Sequence, residues 1–94
     1  MTTNQWTYRK KPVEIEAVRV SDIARHAHAE WDVLPPWVQV KWRDGSLTIQ
    51  AAQVLVSTLE GQMIGGADDW IIRGVKGEIY PCKPDIFAAT YDKI

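Results

Sequence analysis

The chain has 94 residues, 46% of them hydrophobic and 24% charged; this is enough for one core, too short for a second domain, and too apolar for disorder. Its 11 basic and 12 acidic residues leave a net charge of −1, which excludes a general binder of nucleic acid. No apolar run approaches the ~20 residues of a spanning helix, and Met1-Thr-Thr-Asn-Gln-Trp6 lacks the basic-then-apolar order of a signal peptide, so no membrane role and a cytoplasmic location are expected.

In chain order, Arg9-Lys10-Lys11 before Pro12 reads as a solvated lead-in to a strand. Val13, Ile15 and Ala17 then alternate with Glu14 and Glu16, the period of a half-buried strand, and a slip to Val18 and Val20 predicts a bulge or a doubly covered stretch. Ser21 is placed to cap a helix with Asp22 in its first turn. Ile23, Ala27 and Trp31 at four-residue spacing, with Ala24 beside them, predict about three turns docked on a sheet. Pro35 and Pro36 are expected to end this helix. Val38, Val40 and Trp42 alternate with Gln39 and Lys41 and predict a strand, turned at Asp44-Gly45 into a second one at Leu47 and Ile49.

Ala51-Ala52-Gln53 reads as a connection, Val54 to Leu59, with few charges, as a central strand covered on both faces, and Glu60-Gly61 as a turn. Gln62 to Ile64 is expected at a sheet edge, and Gly65 to Asp69 in a loop in which one carboxylate accepts backbone hydrogen bonds. Trp70 to Val75 and Glu78 to Pro81 flank Lys76-Gly77 as a hairpin. Pro84 opens a short helical turn with Asp85 at its positive end; Ile86 and Phe87 are expected to plug the core, and Thr90 to Ile94 to form a closing strand. The fold class predicted is α+β: a small, strongly bent, mostly antiparallel sheet or open barrel of six to seven short strands with one helix packed on it, residues 1–94 forming a single domain.

Residues able to do chemistry are few. Cys82 cannot form an internal disulfide, so packing carries the fold, with a partner subunit in a homo-oligomer as a further source of burial. His26 and His28 are the histidines that would activate this thiol, yet i and i+2 diverge on a helix, and a structural cysteine is the better reading. Asp22, His26 and Glu30 share a stripe at i, i+4 and i+8, which fits a solvated, charge-paired face better than a metal site lacking a fourth ligand. Gly74-Val-Lys-Gly77 matches neither the P-loop nor the dinucleotide fingerprint. No catalytic set, metal or cofactor is expected.

The crowding of Trp70, Arg73, Lys76, Glu78, Tyr80 and Lys83 on two adjacent strands marks them as candidate ligand- or partner-binding residues, because aromatic planes beside long cations stack rings, neutralise phosphates or anchor a protein partner. Strand alternation sends Trp70 and Arg73 to opposite faces, so not all six converge.

The run Asp69-Trp-Ile-Ile-Arg-Gly-Val-Lys-Gly-Glu-Ile-Tyr-Pro-Cys-Lys-Pro-Asp-Ile-Phe-Ala-Ala-Thr-Tyr91, preceded by Thr58-Leu-Glu-Gly-Gln-Met63, resembles a family of small uncharacterised proteins encoded by tailed bacteriophages and prophages. The likeness extends loosely to Tyr8-Arg-Lys-Lys-Pro-Val-Glu-Ile-Glu-Ala17; this chain carries Asp68-Asp69 where members usually carry Gly-Asp. The resemblance implies an accessory protein acting in an infected or lysogenic bacterium, and no catalytic residues. The leading expectation is a non-enzymatic binding protein for a host protein or a small anionic ligand such as a nucleotide. The alternatives are a structural or assembly component of the phage particle, and a small enzyme using Asp68, Asp69 or Glu78 as general base.

Overall fold

A computed structural model of the chain describes residues 5–27 and 29–94. It is an α+β fold of six strands in two three-stranded antiparallel sheets, with three helices. Strands β1 (Glu16–Arg19), β5 (Trp70–Arg73) and β6 (Ile79–Cys82) form one sheet in the order β1-β5-β6. The other, in the order β2-β3-β4, contains β2 (Leu47–Gln50), β3 (Gln53–Thr58) and β4 (Gly61–Gly65). The strand count holds, but the bent sheet or open barrel does not: neither sheet closes or curls strongly, and two separate sheets meet over a common core.

That core follows from alternation. In β3, Val54 and Val56 are fully buried while Gln53 and Ser57 face water, and β5 contributes Ile71 from the inner face of the first sheet. Ile23, Leu34, Trp37 and Val38 close the cluster from the helical side. A Cβ on Gly65 would lie 3.1 Å from Ile71, Val20 and Val54 at once, so the absent side chain is what lets β4 approach.

The expectation of one helix fails between residues 20 and 46. Helix α1 (Val20–His26) is shorter than the three turns expected, and Trp31 belongs to a separate 3-10 turn, Trp31–Val33. Helix α2 (Pro36–Arg43) stands where alternation predicted a strand. Pro36 sits in the first turn, where its missing N–H costs nothing and its φ is already helical. The helix buries Trp37 and Val38 and leaves Val40 and Trp42 about half exposed, at 52% and 47%. Burial of one wide stripe therefore overrides the β-propensity of the valines. Asp44-Gly45 is not a hairpin turn but the end of this helix. Gly45 takes φ +84°, and Asp44 Oδ1 accepts the Ser46 N–H at 2.8 Å, a left-handed glycine closing a helix.

Toward the C-terminus the hairpin expectations hold. Gly77 takes φ +82°, and the Gly74 carbonyl accepts the Gly77 N–H at 3.0 Å between β5 and β6, a three-residue loop ending in a left-handed glycine. Helix α3 (Pro84–Thr90) is longer than the single turn expected, and no closing strand follows it: Tyr91 is extended but unpaired with a sheet. Ile86 does not plug the core but is 56% exposed, and Phe87 lies against Trp70 outside the core cluster. No helix among the described residues is long and apolar enough to cross a membrane.

Candidate functional site

The six candidate residues separate into different surroundings. Trp70 and Tyr80 share one face of the β1-β5-β6 sheet, since Trp70 stands opposite Cys82 and Ile72 opposite Tyr80. Arg73 lies on the other face, its Nη1 3.5 Å from the carboxylate of its cross-strand neighbour Glu16. Lys76 is exposed in the hairpin loop, and Glu78 folds back so that its Oε1 accepts the Lys76 N–H at 3.0 Å. Lys83, before α3, donates to Asp69 Oδ2 at 3.2 Å.

Asp69 is buried, and the same oxygen accepts the Gly66 N–H at 2.9 Å, as the glycine loop predicts. It is held as a structural link between the β4–β5 loop and the α3 start rather than presented to a substrate. Asp22 pairs with Arg25 at 2.8 Å and His26 Nδ1 with Glu30 at 3.1 Å. The described residues contain no convergence of three metal-ligating side chains. Any dyad of Cys82 with His28 lies outside the described residues.

What surrounds Trp70 was not legible as a set. The Arg19 guanidinium lies over its ring at 4.8 Å, and Phe87 stacks on it with centroids 4.1 Å apart and planes 10° from parallel. Tyr91 continues the series at 5.2 Å from Phe87, and Lys10 Nζ caps it at 4.7 Å from the Tyr91 ring while donating to its hydroxyl at 3.2 Å. Cation, three rings and cation thus tie the N-terminal segment, β1, β5 and α3 together. Each ring pair contributes about 0.5–1.5 kcal/mol and each exposed cation about 0.5–1 kcal/mol. The available signal was the i, i+4 spacing of Phe87 on α3 and Tyr91 just past its end, hidden by the expectation of a strand from Thr90.

Tyr80 lies beneath this series. Burial first, then its hydrogen bond to Tyr91, pushes its hydroxyl up to about 12, with smaller contributions from Glu78 and Cys82. Burial, then the charges of Asp69 and Asp85, also raises the Cys82 thiol, against a smaller opposing effect of Lys10. A thiol so placed resists ionisation and is a poor nucleophile.

Beside the series runs a half-open groove of about 910 Å³. It is lined by the residues leading into β1 and by β1 itself, by α1 with Val33, Leu34 and Pro35, and by Phe87 and residues 90–94. Its charges balance: Glu14, Asp22 and Asp92 against Arg19, Arg25 and Lys93, with His26 beside them. Val13, Ile15, Val33 and Leu34 supply apolar surface. Of the six candidates Trp70 alone lines this groove, while Arg73 lines a smaller recess with Glu16 and Gly74.

No family model, curated protein or solved structure matches this chain.

His26 is bonded to a carboxylate and to no hydroxyl or thiol among the described residues, and Thr90 Oγ1 is occupied by the Ile86 carbonyl at 2.7 Å. Asp68, Asp69 and Glu78 line neither the groove nor the recess.

Proposed function

We propose that this chain is a non-enzymatic binding protein of phage or prophage origin, working in the bacterial cytoplasm, and that its groove receives a segment of a host protein. The observation that carries this reading is the groove itself. It is large enough for a ligand of several residues, mixed in polarity, and balanced in charge at three carboxylates to three cations besides His26. Balance disfavours a phosphate-bearing ligand, which needs a surplus of cations. Trp70 adds a second argument, because Arg19 covers one side of its ring and Phe87 stacks against it, so a base must displace one of them before it can stack. The phage origin and the cytoplasmic setting rest on the motif resemblance and on composition.

Native mass spectrometry of the protein purified from bacteria, followed by calorimetric titration with nucleoside mono-, di- and triphosphates, separates the two ligand classes. The expected results are a protein without a retained small molecule and no heat of nucleotide binding. A retained nucleotide, or turnover of any added nucleotide, overturns the reading.

One observation favours a role in assembly as a second reading. The edge strand β4 carries no charged residue, and Leu59, Met63 and Ile64 are exposed on or beside it, the kind of edge that natural proteins usually protect. Light scattering across a concentration series tests it: a stable oligomer abolished by Ile64→Lys supports assembly, and a monomer throughout removes it.

A further inference from the structure

The groove runs along a free sheet edge. β1 is an outer strand, and the Val20 N–H donates to the Asp69 carbonyl at 3.0 Å in the same register that pairs Val18 with Ile71 and Glu16 with Arg73. In an antiparallel ladder directly opposed residues alternate between bonded and non-bonded pairs. Glu16 and Val18 therefore spend their backbone groups, and Val20 its N–H, on the β5 side. The N–H and C=O of Ala17 and the N–H of Arg19 point the other way, and no backbone partner meets them among the described residues. Both residues line the groove. β1 is short and carries Glu16 and Arg19, charges of the kind that guard an edge against indiscriminate pairing, but it has no proline, lysine or bulge to block a strand.

We propose that an extended segment of a partner protein adds to the outer edge of β1 as a further strand, hydrogen-bonded to Ala17 and Arg19, and that it carries an acidic side chain beside Arg19. The acid follows from the charge on the edge strand itself, the groove's Glu14, Asp92 and Lys93 lying outside β1. Arg25 and His26 already face Asp22 and Glu30, whereas Arg19 rests on the Trp70 ring without a carboxylate partner among the described residues. Its guanidinium is held in place by the ring and keeps its hydrogen-bond donors for a ligand. Main-chain bonds supply affinity in this mode, and alternate side chains supply specificity. The inference rests on the groove being the binding site.

The test uses a displayed library of short random peptides selected against the full chain, with selected sequences synthesised as probes. The expected probes are free of proline over several consecutive residues and contain Asp or Glu. Their binding slows exchange of the Ala17 and Arg19 amides, and is weakened about tenfold by Ala17→Pro, the loss of one hydrogen bond. Proline at this position removes an outward N–H and leaves the Glu16 and Val18 bonds to β5 untouched. Arg19→Gln weakens binding of the acidic probes by a similar factor and, with the wild-type exchange data, decides the matter should Ala17→Pro fail to fold. Probes that perturb groove residues yet leave the Ala17 amide unprotected, and that bind Arg19→Gln as well as wild type, overturn strand addition while sparing the groove as a binding site. Failure to select any groove-binding probe overturns both. Protection of the Ala17 amide in a concentration-dependent dimer without peptide assigns the edge to a second copy of the chain and overturns the partner segment.

Discussion

Gly74 and Glu78 offer a test of whether the densest part of the sequence specifies the fold or a site. The Glu78 carboxylate lies where a side chain on Gly74 would begin: a Cβ there would be 2.6 Å from Cδ and Oε1 and 2.8 Å from Oε2. In this position Oε1 accepts the Lys76 N–H and steadies the β5–β6 hairpin. The bond is exposed, so losing it through Glu78→Ala costs about 1 kcal/mol. Gly74→Ala evicts the same carboxylate and forfeits the same bond. Against that loss stands a gain of about 0.4–1 kcal/mol from the stiffer unfolded chain, available because Gly74 is not among the residues with positive φ. Gly74→Ala is therefore near neutral in the wild-type background. After Glu78→Ala there is nothing left to evict, and the same substitution stabilises by about 0.4–1 kcal/mol. Urea unfolding of the four proteins with a shared m-value measures the coupling, expected at about 1 kcal/mol. Additive effects, within about 0.3 kcal/mol, refute the account and free Glu78 for another role.

Asp69→Ala strands the Gly66 N–H and costs about 1–3 kcal/mol, whereas Lys83→Ala, removing a side chain 67% exposed, costs less than about 1 kcal/mol; equal losses in thermal or urea unfolding would show that the ion pair rather than the backbone bond matters. Ala51 opens the β2–β3 turn at φ 53°, so Ala51→Gly should stabilise by up to about 1 kcal/mol as the left-handed strain is relieved, and an unchanged or lower urea midpoint contradicts that geometry. The raised Tyr80 hydroxyl has a defined pH consequence. An unfolded tyrosine loses its proton from about pH 10, while Tyr80 in the fold holds its proton to about 12, so its contribution is complete below pH 10 and is lost as pH rises from 10 to 12. Unfolding midpoints followed across that interval should fall more steeply for wild type than for Tyr80→Phe, and parallel curves would exclude the linkage.

The elements legible in the sequence are those whose turn chemistry admits one reading. Val54 to Leu59 carries no charge and is turned by Gly61 at φ +112°, while Gly77 closes a loop between two short apolar runs, so β3 to β6 fall where expected, β3 being central but with only the Val54 and Val56 face fully buried. Between residues 20 and 46 the same signals are ambiguous. A glycine at positive φ serves a hairpin or a helix end equally well, and paired prolines stop one helix as readily as they start the next. Val38, Val40 and Trp42 are consistent with a strand, but Val38 is fully buried while Val40 and Trp42 are about half exposed, a split that residues sharing one strand face would not show and a helix permits.

The candidate site was legible in a different and weaker sense. Density along one hairpin identified Trp70, but the residues that give Trp70 its surroundings, Lys10, Arg19, Phe87 and Tyr91, come from distant segments, with Phe87 read as a core plug on a helical turn and Tyr91 as part of a closing strand. That misreading matters for function. A closing strand from Thr90 would have had to pair with a sheet edge. Thr90 instead ends α3, and Tyr91 is drawn to Phe87 and Lys10. The contacts that hold the C-terminal residues in place thus leave the outer edge of β1 unpaired by this segment, and that opening is where the proposed partner strand would add.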